Sequence, residues 1–238
     1  MMNHDMTLEN NIIMWRERVS EAAAKWGGCE VCAVTKTVDV ETINRARAAG
    51  IRTIGENRVQ ELMSKIDQLN PEYKIHLIGQ LQTNKVKYII DRVDMIQSLD
   101  RDALAEEISR RAVQANRVMP ALVQVNIARE PQKSGIDEDE LLAFIERTRL
   151  LPGIRIEGLM AIMPFTDDPE TIRPYFRRMR AWFDRLRDAG LDNVSMNVLS
   201  MGMSGDCIVA AEEGATMVRM GSALFGARPA KTDTIQGV

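Results

Sequence analysis

Cysteine is scarce in this chain. Three in 238 residues is a small, odd number, which argues against the disulfide framework that small secreted domains rely on. Histidine is scarcer still, with His4 and His76 the only two. Cys29 and Cys32 form a C-x-x-C, but without a second cysteine pair a zinc site would lack ligands. A redox C-x-x-C needs a helix N-terminus to lower its thiol pKa, whereas these two fall in an expected strand, on opposite faces. Neither a metal nor a redox role is expected.

Long apolar runs are also missing. Nothing approaches the ~20 residues of a membrane helix, and the opening MMNHDMTLEN has neither the basic nor the apolar segment of a leader. A soluble, cytoplasmic protein is expected. Charge of one sign is missing as well: 31 Lys plus Arg stand against 34 Asp plus Glu, a net charge of −3, so no general attraction to nucleic acid or an anionic membrane follows. No Pro/Gly/Ser-rich linker marks a boundary, and residues 1–238 are expected to form a single domain. A mixed-charge surface without heptads suggests a monomer. The 15 methionines read as irregular core filling.

What is present is alternation. After a helix at LENNIIMWRERVSEAAAKWGG, short apolar strands at CEVCAVTK, IRTIGEN, KIHLIGQ, VDMIQSL, PALVQVNIA, IRIEGLMAIM, NVSMNVLSMG and TMVRMGSALFG are separated by amphipathic helical segments, NKVKYIIDR among them. Eight such units match an α/β fold of the single (β/α)8 TIM barrel type, with an extra N-terminal helix. An open doubly wound sheet is the alternative, but no G-x-G-x-x-G follows the first strand.

In such barrels the site lies at the C-terminal strand ends. Here those ends carry Lys36, Glu56-Asn57, Gln80 to Lys85, Asn126, Met160 to Met163, Ser200 to Ser204, and Arg219 with Gly221-Ser222. SMGMSGD, residues 200–206, and RMGS, residues 219–222, combine hydroxyls with glycines at the two adjacent strand ends where barrels hold phosphate. A lysine at the mouth, opposite that cradle, could form a Schiff base with a phosphorylated aldehyde. Pyridoxal phosphate and a sugar phosphate both satisfy this arrangement. The plainer alternative is a rim lysine whose stem covers the sheet while its ammonium reaches water.

Several stretches together resemble a known family. AVTKT (33–37), IGENRVQE (54–61), HLIGQLQTNK (76–85), KSGI (133–136), EGLMAIM (157–163), and LSMGMSGD with MVRMGSALFGAR (199–228) are similar to the pyridoxal phosphate homeostasis proteins, the YggS/PROSC-like group, related in fold to the barrel domain of alanine racemases. The resemblance implies that pyridoxal 5'-phosphate (PLP) is held on Lys36 as a Schiff base, with Asn57 beside it. It implies that Ser200, Ser204, Gly221 and Ser222 hold the phosphate and that Arg219 faces the pyridine nitrogen. Ile54, Arg58 and Leu77 depart from the aromatics usual in the family.

An arginine at the ring nitrogen stays protonated and weakens the ring as an electron sink, so deep carbanion chemistry is disfavoured. Racemisation would still need an acid or base on the opposite face, which alanine racemases take from a second β domain. With 12 residues after Gly226, no such domain is expected here. Tyr73, Tyr88 and Tyr175 read as ordinary half-buried tyrosines, and Cys207 as a small helix-start residue. No catalytic residue is assigned. The expectation is a PLP carrier that buffers the cofactor or delivers it to PLP-dependent apo-enzymes. A weak amino-acid racemase is a second reading, and a cofactor-free Schiff-base lyase, with Glu56 as its only strand-end carboxylate, is a third. Lys85 is a candidate second cation for transfer along the rim.

Overall fold

The structure, a computed structural model, describes residues 7–226. His4, the first residues of the chain, and Ala227-Arg228 of the last quoted motif lie outside that range. Eight parallel strands follow one another in chain order and close into a barrel. They are β1 (Glu30–Val34), β2 (Thr53–Glu56), β3 (Lys74–Leu77), β4 (Met95–Leu99), β5 (Met119–Val125), β6 (Ile154–Ala161), β7 (Val194–Ser200) and β8 (Met217–Met220). Closure runs through β1 against β8, where Cys32 is paired with Arg219. Strands covered on both faces are largely apolar, and β4 is buried at every residue although it carries Gln97 and Ser98.

Helices α1 (Leu8–Ala22), α2 (Val40–Ala48), α3 (Val59–Lys65), α4 (Asp102–Gln114), α5 (Leu141–Thr148), α6 (Arg173–Ala189), α7 (Cys207–Glu212) and α8 (Ser222–Phe225) complete the fold. The extra helix α1 starts at Thr7, whose hydroxyl accepts from the Asn10 amide at 3.3 Å. Its apolar stripe buries Ile12 and Val19 completely, with Leu8 and Trp15 packed beside them. This helix lies outside the barrel, and Asn11 Nδ2 donates to the Ala223 and Leu224 carbonyls at 2.7 and 2.8 Å. It thereby ties the start of the described chain to α8, the element that closes the cradle.

Two elements differ from the sequence reading. Thr83–Tyr88 forms a 3-10 segment where a helix is expected. Thr83, Val86, Tyr88 and the following isoleucines are β-branched or aromatic and give an α-helix little intrinsic support. The last expected strand, 216–226, divides: β8 stops at Met220 and Ser222–Phe225 is helical. The break falls at Gly221, whose amide turns to the Ser204 hydroxyl at 3.2 Å.

Candidate functional site

A cavity of about 630 Å³ opens at the C-terminal ends of the strands. Lys36, Ser204, Arg219, Gly221 and Ser222, all expected from the sequence, line it together with Lys133, Asp206, Val34, Met163 and Phe165. Asn57 and Ser200 do not.

Lys36 follows β1 by two residues and is half-buried, between a fully buried Thr35 and a Thr37 at φ 61°. Glu56, the carboxylate that the lyase reading requires, is fully buried beneath this loop and engaged by the Thr35 hydroxyl and Lys65. It does not reach the cavity wall, so it cannot serve as the base beside Lys36.

Arg219 rises from β8 into the barrel lumen. Its guanidinium donates to the Ser200 carbonyl at 2.8 Å, the Ser200 hydroxyl at 2.7 Å and the Ala161 carbonyl at 2.8 Å. Burial pulls its pKa down to about 10, which leaves it charged at neutral pH. Ser200 passes the chain on: its hydroxyl donates to Gln97 Oε1 at 2.7 Å, and Gln97 Nε2 meets His76 Nδ1 at 2.9 Å. Ser200 is therefore fully buried with its hydroxyl committed, below the cradle rather than in it.

The cradle itself is built by Ser204. Its hydroxyl accepts from the amides of Gly221 and Ala223, both at 3.2 Å, and so joins the loop after β7 to the start of α8. Gly202 makes the loop possible. At φ 93° a Cβ there would lie 2.5 Å from that of Ala210. Asp206 accepts from the Met203 amide at 2.5 Å, and burial raises its pKa above the usual carboxylate range. Lys133 donates to the Met163 carbonyl at 2.8 Å and pairs with Glu130, which brings the loop after β5 to the wall formed after β6.

Asn57 follows β2, the neighbour of β1, and its Oδ1 is buried without a partner. Gly79 lies against it. A Cβ at Gly79 would sit 2.2 Å from the Asn57 carbonyl oxygen. Lys85 is absent from the cavity wall and faces the Tyr88 ring at 5.7 Å. Tyr73 donates to the Ile43 carbonyl at 2.6 Å, and burial pushes it up to about 12. Burial likewise raises Cys29 and Cys32 to about 12 and Cys207 to about 11, the reverse of what a thiolate nucleophile needs.

The sequence reading gave no role to Lys133, Asp206, Gln97 or Lys65. Two of the four had a usable signal: Lys133 opens the KSGI stretch after strand five, and Gln97 is the one amide inside the strand VDMIQSL.

The model of the family "Alanine racemase, N-terminal domain" matches residues 8–229. A pyridoxal phosphate homeostasis protein of Aquifex aeolicus (strain VF5) is 44% identical over 217 residues, covering 89% of this chain and 94% of that protein. The structure of PipY from Synechococcus elongatus PCC7942, with PLP bound, is 32% identical at a TM-score of 0.81, covering 92% of this chain and 100% of that one. Alanine racemase from Corynebacterium glutamicum shares the fold alone, with 18% identity and a TM-score of 0.72 over 94% of this chain and 63% of its own.

Proposed function

This chain belongs to the pyridoxal phosphate homeostasis protein family, and we propose that it binds pyridoxal 5'-phosphate on Lys36 and takes part in intracellular PLP homeostasis, buffering the cofactor or delivering it to apo-enzymes. The observation that carries this reading is the convergence of Lys36, Arg219 and the Ser204–Ser222 cradle on one cavity. When bound, PLP supplies an aldehyde that condenses with a primary amine to a Schiff base, releasing water. Lys36 offers the amine. Ser204, Gly221 and Ser222 offer hydroxyls and backbone to the phosphate, as loops after the last two strands of such barrels do.

The residues fit the group in two further ways. Arg219 is buried with its guanidinium bonded to neutral oxygens of Ser200 and Ala161 rather than in an ion pair, with Asp206 the carboxylate that shares the cavity wall. Asn57 Oδ1, just past the end of β2, is a buried acceptor with no protein partner.

A carrier rather than a catalyst follows from the same residues. Arg219 holds its own proton and gives the ring nitrogen a hydrogen bond only. Tyr73 and Cys207, the alternative acids and bases considered above, are buried away from the cavity wall and held protonated. The names of the relatives point the same way.

The deciding experiment is the visible spectrum of the purified protein with added PLP, followed by borohydride reduction and peptide mass analysis. A visible band, with the added mass on the peptide containing Lys36, is expected. A protein that stays colourless overturns the reading. Exchange of amino-acid α-protons in deuterated water should stay near background, and fast exchange would establish the racemase reading instead. A cytoplasmic location and a monomeric state belong to the same proposal, and light scattering should return a single species of 26.8 kDa.

A further inference from the structure

Both residues that flank Lys36 are gripped from β2 and α3. Lys65, only 6% exposed, reaches across from the end of α3 and donates to the Thr35 carbonyl at 2.9 Å. The same ammonium lies 2.5 Å from Glu56 Oε1, which also accepts from the Thr35 hydroxyl. On the other side of Lys36, Glu61 Oε1 accepts from the Thr37 amide at 2.5 Å and stands 3.4 Å from Lys65. A buried ammonium is costly unless paired, and here it is paired with a buried carboxylate and a loop carbonyl. Such an arrangement holds a loop in one conformation, and it does so around a threonine in the left-handed region at φ 61°.

We propose that Lys65 is a positioning residue for Lys36: braced by Glu56 and Glu61, it locks Thr35 and Thr37 so that the intervening lysine leaves the backbone at a fixed point on the cavity wall. Lys65 itself does not line the cavity. The inference rests on the reading of Lys36 as the cofactor's anchor.

Lys65→Met paired with Glu56→Gln removes the lock without leaving a buried charge alone. Three quantities are compared with the unsubstituted protein: the affinity for inorganic phosphate, the rate at which a borohydride-reducible PLP adduct forms on Lys36, and the pH titration of the visible band. The cradle is untouched, so phosphate affinity should stay within about twofold. Adduct formation should slow by about tenfold or more, because misplacement of a reacting group by an ångström is enough for that. The titration of the band should shift by about one pH unit as the surroundings of the amine change.

An unchanged rate and titration in the folded variant overturn the proposal. So does a loss of phosphate affinity in proportion to the rate, which would mark a merely structural role. If the paired variant does not fold, the partly exposed Glu61→Gln decides, since it keeps an oxygen for the Thr37 amide and removes the charge that faces Lys65. The titration must still move there, and a titration that stays put overturns the proposal. Failure of the underlying reading looks different: the unsubstituted protein would then carry its adduct on a peptide without Lys36.

Discussion

The hydroxyl of Ser200 accepts from Arg219 at 2.7 Å and donates to Gln97 at 2.7 Å, so a single serine links the cation of the cavity to the polar interior of the barrel. Ser200 does not line the cavity. The two serines of the SMGMS stretch should therefore separate cleanly on substitution. Ser200→Ala leaves Gln97 Oε1 without its donor and should cost about 1–3 kcal/mol of stability, while affinity for inorganic phosphate stays nearly unchanged. Ser204→Ala removes the acceptor shared by Gly221 and Ala223 and should weaken phosphate binding about tenfold, as expected for about 1.4 kcal/mol. Urea unfolding together with a phosphate titration on each variant checks both halves, and equal losses of phosphate binding would return Ser200 to the cradle.

Asp206 places a carboxylate on the wall of a site built for an anion. Asp206→Asn keeps an oxygen for the Met203 amide and removes the charge, so inorganic phosphate should bind several-fold more tightly at pH 7.5. Burial raises the pKa of this carboxyl, so the benefit of the variant should shrink as the pH falls and the native side chain takes up its own proton. Competition between inorganic phosphate and PLP across pH, measured on both proteins, is the check.

His76 ends the polar chain, and its burial lowers its pKa from 6.5 to about 4. Below pH 6.5 the unfolded chain takes up a proton that the folded imidazole refuses. The contribution is thus fully present above pH 6.5 and is lost progressively down to about pH 4, where the loss reaches about 3 kcal/mol. His76→Gln should flatten that part of the curve. Urea midpoints at pH 7.5 and 5 for the two proteins measure the difference, and parallel falls would mean that His76 titrates normally.

Gly79 shows how closely the mouth is packed. Gly79→Ala puts a methyl group 2.2 Å from the Asn57 carbonyl oxygen, a backbone atom that can move only with the end of β2. A loss of about 1–3 kcal/mol is expected, accompanied by weaker cofactor binding as Asn57 shifts. Thermal melts and a PLP titration would show both effects, and a variant of native stability would reveal a loop that yields.

The barrel was legible in the chain because its strands are short, mainly apolar runs between amphipathic segments, a pattern that survives without tertiary information. Lys36, Ser204, Arg219, Gly221 and Ser222 were legible for a related reason. Parallel closure brings all strand C-termini to one rim, so residues far apart in the chain must meet there. The 3-10 segment at Thr83–Tyr88 and the helix after Gly221 were not, because short segments are decided by their neighbours more than by their own propensity.

What each polar residue touches was decided only in three dimensions. Ser200 and Ser204 have the same side chain four positions apart, yet one turns into the lumen toward Gln97 and Arg219 and the other meets the amides at the start of α8. Glu56 and Lys65 look like ordinary charges of a strand end and a helix end until α3 packs back on the barrel and buries them against Thr35. Periodicity and strand ends, local properties of the chain, determined the fold and the rim on which the site stands. Side-chain direction, burial and partnering depend on contacts across the closed sheet, and these divided the polar residues between ligand and scaffold.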